Sequence, residues 1–233
     1  MTILILGNSD GIGLAATYLL LDEGHTVVSV SRSPLSDPTL AERVHHTSMD
    51  VTDPAYPDHL DHLLDTHGPF EACVWCVGIG TPLNLDEPNV LAAERRTFEV
   101  NLMAAVHTIE RVLPTMLAQQ QGHIIVLSSQ ADRLVSPQAP AYSASKAALS
   151  AYIEGLALAA RPKGVRLTNI RLGFVDTKMA QAPFRPFMMT PDSAAKLILK
   201  SLRRRPVRIT RPWRMAALLA VFKWIVAAQI IML

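Results

Sequence analysis

Cysteine is scarce in this chain of 233 residues, which contains only Cys73 and Cys76. The two are spaced as C-x-x-C, but they lie in the apolar run Glu71–Val77, which has the pattern of a β-strand. A thioredoxin-type pair opens a helix instead, and a zinc site requires more than two ligands. We therefore predict buried free thiols and no metal site. The low cysteine content also fits a reducing cytoplasm.

Acidic residues are missing from residues 193–233. The overall net charge of +2 hides this asymmetry, because residues 1–192 carry all 20 acidic and 13 of the 22 basic residues, a net charge of −7. The last segment carries the other nine basic residues, a net charge of +9. A basic segment before an apolar end suits a membrane surface or an acidic partner, and it equally suits a solvated helix face. It lacks interleaved stacking aromatics, which argues against a nucleic-acid partner.

Internal repeats and low-complexity segments are also lacking, and strand and helix patterns alternate from the first residue. Because a glycine-rich loop begins at residue 7, we expect no signal peptide. The alternation predicts an α/β fold: a Rossmann-type doubly wound parallel sheet with right-handed crossovers, in a single domain over residues 1–212. An apolar helical tail follows over residues 213–233. The predicted strands are Thr2–Leu6, Thr26–Ser31, Val44–Met49, Glu71–Val77, His123–Ser128, Val165–Arg171 and Val207–Thr210. The predicted helices are Ile12–Glu23, Pro54–His67, Val90–Gln120 with a kink or break at Pro114, Ala141–Ala160 and Pro191–Arg203.

The first feature that indicates chemistry is the glycine-rich loop Gly7-Asn8-Ser9-Asp10-Gly11-Ile12-Gly13. It follows a predicted strand and opens a predicted helix. Gly7, Gly11 and Gly13 allow a tight turn and a close approach of the backbone to a ligand. The helix N-terminus would face a pyrophosphate, so the loop predicts a dinucleotide site.

The second feature is Tyr142 with Lys146, four residues apart on one face of a predicted helix. A lysine ammonium near a phenol favours the phenolate, which gives a group able to exchange a proton with a carbonyl or an alcohol. Ser129 lies thirteen residues before Tyr142. Together with the dinucleotide loop, these residues predict carbonyl–alcohol redox chemistry with a nicotinamide.

These motifs resemble those of the short-chain dehydrogenase/reductase family, over nearly the whole chain up to about residue 212. The resemblance covers five motifs in the family's order. They are the glycine loop, Asp50-Val51 after the third strand, Asn101 within Glu99-Val100-Asn101-Leu102, Ser129 with Tyr142-Ser143-Ala144-Ser145-Lys146, and the turn Asn169-Ile170-Arg171-Leu172-Gly173-Phe174-Val175-Asp176-Thr177.

The resemblance implies a role for each catalytic residue. Tyr142 would give its proton to the carbonyl oxygen, and Ser129 would hydrogen-bond that oxygen and stabilise its developing charge. Lys146 would lower the pKa of Tyr142 and bind the nicotinamide ribose. Asn101 would hold a water that links Lys146 to solvent. Ser128 competes with Ser129, because adjacent residues of a strand point to opposite faces.

The resemblance also implies where a cofactor binds. Asp50 and Val51 would border the adenine ring. The remaining cofactor positions are Gly7, Asn8, Ser9, Asp10, Gly11, Ile12, Gly13, Gly78, Tyr142, Lys146, Gly173, Val175 and Thr177. At the end of the second strand, Ser31-Arg32-Ser33 contains no acid that would hold the ribose hydroxyls of NAD and repel a 2′-phosphate. Arg32 can bind that phosphate as a charged fork, so the sequence favours NADP(H) over NAD(H).

The chain departs from the family pattern at four places. Leu6 replaces a threonine before the glycine loop, Trp75-Cys76-Val77-Gly78 replaces Asn-Asn-Ala-Gly, and Leu172 replaces a proline. The family's glycine-rich end of the C-terminal strand is also missing. The second change predicts different packing around the central strands. The missing glycine-rich end concerns how subunits assemble. We expect a homodimer or a homotetramer.

The segment between Thr177 and Thr190 would cover the substrate. Its side chains Met179, Phe184, Phe187, Met188 and Met189 suit an apolar substrate and equally suit the packing of a lid.

Residues 215–233 contain only Lys223 and Gln229 as polar residues and follow a run of arginines. The segment nearly has the length to span a bilayer, although Lys223 lies mid-segment, where a charge is costly. Packing on the domain or on a sister subunit, peripheral membrane contact and a true anchor all remain open.

Taken together, the sequence predicts a cytoplasmic NADP(H)-dependent reductase acting on a carbonyl of an apolar small molecule or acyl chain. One alternative is an NAD(P)-dependent alcohol dehydrogenase working in the oxidising direction. Another is a nucleotide-bound sensor or scaffold, although such a protein needs none of Ser129, Tyr142, Lys146 and Asn101.

Overall fold

A computed structural model describes residues 1–180 and 184–220. Its centre is a seven-stranded parallel sheet with the strand order β3-β2-β1-β4-β5-β6-β7. The strands are β1 (Thr2–Leu6), β2 (Thr26–Ser31), β3 (His45–Ser48), β4 (Ala72–Trp75), β5 (Gly122–Ser129), β6 (Val165–Leu172) and β7 (Arg208–Arg211). The predicted Rossmann-type α/β fold is therefore confirmed. The strand order reverses between β1 and β4, which is where open α/β sheets bind ligands.

Helices cover both faces of the sheet. They are α1 (Gly11–Asp22), α2 (Pro38–Ala41), α3 (Tyr56–His67), α4 (Val90–Phe98), α5 (Ala104–Ala118), α6 (Pro140–Ala160) and α7 (Pro191–Arg204). Because side chains alternate along a strand, Leu4 and Leu6 pack into one core with α3, α5 and α6, whereas Ile3 and Ile5 pack into another with α1 and α7. Burial on both faces explains why the strands are almost continuously apolar.

The helix predicted over Val90–Gln120 is interrupted, and the interruption is not at Pro114. Pro114 lies within α5, while a π-helical turn over Glu99–Met103 separates α4 from α5. Asn101 sits in this turn and hydrogen-bonds both backbone groups of Ile79. Those bonds offset the cost of leaving regular α-helical geometry. Single π-helical turns of this kind are common at functional sites.

The segment at the end of β4 contains the tryptophan that departs from the family pattern, and the difference in packing from the family stays a prediction. Trp75 is 2% exposed and lies in the core beneath α5 and α6. Cys73 and Cys76 are free thiols, and burial raises the pKa of each to about 12. Thiols with such a pKa stay protonated at neutral pH, so neither is a reactive thiolate.

The C-terminal segment begins as β7, which pairs in parallel with β6. Residues 213–220 are helical, and Met215 and Leu219 are buried while Trp213 and Leu218 are exposed. This first part of the tail thus packs on the domain through one face. Across residues 1–180 and 184–220, no helix has the length and apolar character needed to cross a bilayer. The expectations for residues 221–233 lie outside the described residues.

Candidate active site

The glycine loop and the segment after β4 meet where the strand order reverses. Gly7 has a φ of +84°, and a Cβ there would lie 2.9 Å from Val77 Cγ2. A Cβ on Gly13 would lie 2.0 Å from the carbonyl oxygen of Gly7, so only glycine permits this approach. The loop therefore forms a backbone cradle at the N-terminus of α1, which fits the pyrophosphate of a dinucleotide.

Asp10 and Thr177 place the segment after β6 directly on this loop. Asp10 caps α1 by accepting a hydrogen bond of 2.7 Å from the Gly11 amide, and Lys178 Nζ lies 2.7 Å from its Oδ2. The hydrogen bonds from Lys178 and Gly11 lower the pKa of Asp10. A Cβ on Gly11 would lie 3.1 Å from Thr177 Cγ2. The sequence indicated Thr177 but gave no sign of Lys178, because nothing local pairs residues this far apart.

The other loop positions differ in exposure. Asn8 is fully buried and donates from Nδ2 to Thr17 Oγ1 at 3.3 Å, so it supports the loop from within. Ser9 is half-buried. Ile12 packs against the core beneath α1. The structure thus brings Asn8 and Ile12 to supporting positions of the cradle.

The end of β2 presents one cation to solvent. Ser31 is buried and donates to the carbonyl of Ser33 at 2.7 Å, whereas Arg32 and Ser33 are exposed. This bond fixes the turn that carries Arg32. Beside it, Asp50 accepts from Thr52 and from Arg96, and Val51 is buried. Burial raises the pKa of Asp50, but the hydrogen bonds from Thr52 and the charge of Arg96 outweigh it and hold the pKa below its usual value.

Tyr142 and Ser129 meet at the C-terminal edge of the sheet. Ser129 ends β5, Tyr142 lies in the first turn of α6, and the Ser129 hydroxyl interacts with Tyr142 and lowers its pKa. Ser129 Oγ also accepts from the Ala131 amide at 3.1 Å. Ser128 points to the opposite side, where its Oγ lies 2.8 Å from Ser150 Oγ. The structure therefore places Ser129, and not Ser128, against Tyr142.

The electrostatics of Tyr142 differ from the sequence expectation. Burial raises the pKa of Tyr142, the interaction with Ser129 lowers it, and the charge of Asp132 raises it, with a net upward shift. Lys146 was expected to lower this pKa, but it is not among the groups that shift it. Its own burial lowers the pKa of Lys146 to about 8, and Nζ donates to the Leu127 carbonyl at 3.3 Å. The ammonium is thus directed at a backbone oxygen.

Asn101 joins the segment after β4 to α6. Its Oδ1 accepts from the Ile79 amide at 2.7 Å, and its Nδ2 donates to the Ile79 carbonyl and to Ser145 Oγ. A Cβ on Gly78 would lie 3.2 Å from Lys146 Nζ and 3.4 Å from Asn101 Oδ1. Because Gly78 has no side chain, both polar groups can approach its backbone. The structure brings Asn101, Gly78 and Lys146 together; the water-holding role of Asn101 stays a prediction.

The comparisons with known proteins agree with this geometry. The model of the family described as short chain dehydrogenase matches residues 1–185. This chain belongs to the short-chain dehydrogenase family. An uncharacterised oxidoreductase of Myxococcus xanthus is 31% identical over 228 residues, which cover 92% of this chain and 88% of the relative. The resemblance inferred from the motifs is confirmed, and the chain is an NAD(P)-dependent short-chain oxidoreductase.

Solved structures show the same family fold. The crystal structure of a short-chain dehydrogenase from Streptomyces avermitilis has a TM-score of 0.83 and 25% identity, covering 98% of this chain and 94% of its own. The structure of ElxO with NADP bound has a TM-score of 0.78 and 19% identity, covering 90% of this chain and 96% of its own. The cradle at Gly7, Gly11 and Gly13 fits the NAD(P) that the family binds.

Two features of this short-chain dehydrogenase were missed in the sequence. A Cβ on Gly80 would lie 3.3 Å from Cδ2 of Tyr142, so the Tyr142 ring lies against bare backbone. The Gly78-Ile79-Gly80 spacing after a strand was the available signal. The second feature is a buried ion pair between Asp132 and Arg171, for which no local signal existed, since the partners are 39 residues apart.

The C-terminal segment covers the turn after β6. The Gly173 amide donates to the Arg211 carbonyl at 2.8 Å, and a Cβ on Gly173 would lie 3.0 Å from Pro212 Cδ. Val175 is buried and forms a β-bridge with Met189. The described part of the predicted lid presents exposed apolar side chains, namely Met179, Phe184, Phe187 and Met188.

Proposed function

We propose that this chain uses NADP(H) to reduce a carbonyl of an apolar small molecule or acyl chain to an alcohol. One observation carries the proposal: Tyr142 and Ser129 interact at the sheet edge that also holds the glycine cradle. Lys146 stands one helical turn further along α6. A bound nicotinamide would supply hydride to the carbonyl carbon at this edge.

Tyr142 is suited to donate a proton. Because its pKa is raised, the phenol stays protonated at neutral pH, as an acid for carbonyl reduction must be. Ser129 would hydrogen-bond the substrate oxygen and stabilise the charge that develops there. The electrostatics thus support the reducing direction over alcohol oxidation, which needs the phenolate.

Lys146 is suited to replace that proton. A lysine with a pKa of about 8 exchanges its proton near neutral pH. The group is 4% exposed, so the proton needs a route to solvent. Asn101, in the π turn between α4 and α5, lies beside it and is bonded to Ile79 of the segment that contains Gly78. We propose that this side provides the route.

The preference for NADP(H) rests on Arg32. Its exposed guanidinium follows β2, and the neighbouring Ser31 and Ser33 carry no negative charge to repel a 2′-phosphate. ElxO, a structural neighbour, binds NADP. The deciding experiment measures the binding of NADPH and NADH by nicotinamide fluorescence. We expect tighter NADPH binding, and we expect Arg32→Ala to remove the preference while leaving NADH binding unchanged.

The apolar substrate class is supported by the exposed side chains of the lid, of which Phe184 is 75% exposed. A panel of ketones and aldehydes of increasing chain length, tested with the tighter-binding cofactor, should give a kcat/KM that rises with apolar length. Turnover of alcohols alone would favour the oxidising alternative. Tight cofactor binding without turnover on the whole panel would favour the sensor or scaffold.

We also propose how the protein associates with partners. Exposed Leu91 on α4 and Leu158 on α6 support a homodimer or homotetramer, because apolar side chains on neighbouring helices suit a second copy. Exposed Trp213 and Leu218 beside Arg211 and Arg214 support peripheral contact with an anionic membrane. Light scattering tests the first, and co-sedimentation with neutral and anionic vesicles tests the second. Self-association and peripheral membrane contact are both compatible with an enzyme in the cytoplasm.

A further inference from the structure

A buried ion pair joins the turn that follows Ser129 to strand β6. Asp132 is three residues beyond Ser129, in a 3₁₀ turn over Gln130–Arg133, and Arg171 lies near the end of β6. The guanidinium binds the carboxylate with two hydrogen bonds, of which Nε to Oδ2 measures 2.5 Å. The side chains are 4% and 3% exposed. Neither residue has a part in the proton and hydride transfers.

Hydrogen bonds extend this pair into the helix that carries Tyr142 and Lys146. Ser150 on α6 donates to Asp132 Oδ2 at 2.8 Å and lies 2.8 Å from Ser128 Oγ. A carboxylate only accepts, so the Ser150 proton goes to Asp132 and Ser128 is the donor toward Ser150. Ser128 Oγ also lies 3.3 Å from the Lys146 carbonyl. The chain of bonds connects β5, α6 and β6.

A buried ion pair is weak evidence for a contribution to fold stability. Replacing a buried ion pair by apolar residues of similar volume is often neutral or stabilising, because the charges lose their hydration. The location of the ion pair in the fold is more informative than the strength of the interaction. The pair fixes the turn that begins at Ser129, and Ser150 fixes that turn to α6.

We propose that Asp132 and Arg171 are a positioning pair for the catalytic centre. They hold the Ser129 hydroxyl against Tyr142 by clamping the turn after β5 between β6 and α6. The inference rests on the proposed function, because this geometry matters for turnover only if Ser129 and Tyr142 act on a carbonyl.

The electrostatics around Tyr142 agree with this assignment. The charge of Asp132 raises the Tyr142 pKa, and Arg171 neutralises part of that charge. Other charged groups near this region are Lys146 on the same helix, Arg133 in the same turn as Asp132, and Glu94 on α4, which accepts from the Ala141 amide at 2.9 Å. The segment Gly78–Gly80 adds none. Removing either member of the pair should therefore change the titration of Tyr142, in opposite directions.

The test is the phenol absorbance near 295 nm as a function of pH, with and without Tyr142→Phe in each background, so that the difference reports Tyr142 alone. We expect Asp132→Asn to lower the Tyr142 pKa and Arg171→Met to raise it, each by about one unit. We expect kcat for a ketone to fall by about tenfold or more in both variants, while the Kd for NADPH changes by less than about twofold.

The assignment would be overturned if the Tyr142 pKa shifted in the same direction in both variants, or if it did not shift in either folded variant. Should the single variants fail to fold, the uncharged pair Asp132→Leu with Arg171→Met keeps the core filled, and a parental kcat in it would equally overturn the assignment. Asp61→Asn is the matched control, because it removes a charge on α3 that pairs with Arg111 on α5 and is not among the groups that shift the Tyr142 pKa. The titration needs no substrate. It therefore tests the positioning pair even when the unaltered protein reduces no ketone.

Discussion

The ammonium of Lys178 lies 2.7 Å from the carboxylate of Asp10, and this ion pair joins the segment after β6 to the first turn of α1. Asp10 thus places a negative charge at the helix N-terminus where the cradle would hold a pyrophosphate. The pair is solvent-exposed, since the Lys178 side chain is 90% exposed. Its effect should therefore depend on salt.

The first prediction concerns this pair. Lys178→Ala should weaken NADPH binding by roughly threefold to tenfold at low ionic strength, because the Asp10 charge is then left to repel the phosphates. Fluorescence titration at low salt and at about 0.5 M salt measures the effect. Adding Asp10→Asn should restore most of the affinity. An equal loss at both salt concentrations would show that charge compensation is not the cause.

The second prediction concerns the proton donor. Tyr142→Phe should lower kcat by about 10²- to 10⁴-fold, the range that a positioned acid contributes, while the Kd for NADPH stays the same. Single-turnover kinetics with the preferred ketone measures the first quantity and fluorescence the second. Turnover that persists at the parental rate contradicts the mechanism. Tyr152→Phe is a suitable control, because Tyr152 is exposed on the same helix.

The third prediction concerns pH and Lys146. Burial lowers the pKa of Lys146 to about 8, below its ordinary 10.5, so the unfolded chain binds more protons than the folded one between these values. Below pH 8 both states are protonated and the cost of burying the charge is fully present. As the pH rises from 8 to 10.5 the folded state loses its proton first, and the stability contributed by this group increases.

Urea unfolding of the parent and of Lys146→Met measures this effect, because shifts in other groups largely cancel in the difference. The free energy of unfolding of the parent should rise by roughly 3 kcal/mol relative to the variant between pH 8 and pH 10.5. A difference that is constant with pH would mean that the Lys146 pKa is unshifted.

The fourth prediction concerns Gly80, on which the Tyr142 ring rests. A Cβ here would lie 3.3 Å and 3.6 Å from two ring carbons, so Gly80→Ala should displace the phenol by a few tenths of an ångström. We expect kcat to fall by about tenfold with little loss of stability, since small displacements at a reacting group are costly. Steady-state kinetics and thermal unfolding measure the two effects.

Gly155→Ala is the matched control for Gly80→Ala. A Cβ at Gly155 has no neighbour within 4 Å, and the residue is exposed within α6. Alanine there should stabilise the fold by about 0.5–1 kcal/mol through helix propensity and leave kcat unchanged. If both variants lose activity equally, a general effect of added methyl groups explains the result and the contact with Tyr142 does not.

Most of the fold could be predicted because its signals are local. The apolar runs that became β1 and β2 alternate with helical patterns, and this alternation requires a parallel sheet with crossovers. The break in the long helix could not be placed this way. Pro114 is the residue that local rules mark as a breaker, yet the π turn forms at Asn101, where the backbone of a distant segment, at Ile79, accepts and donates the compensating hydrogen bonds.

The sequence by itself determined which residues have the chemistry: a phenol and an amine one helical turn apart at Tyr142 and Lys146, and a glycine cradle before α1. These follow from spacing along one element. Only the tertiary structure decided the rest. The orientation of β5 turns Ser129 toward Tyr142 and Ser128 away, and its register with β6 places Arg171 opposite Ser128, where it can reach Asp132. Strand register and long-range pairing connect residues far apart in the chain, and no local pattern specifies them.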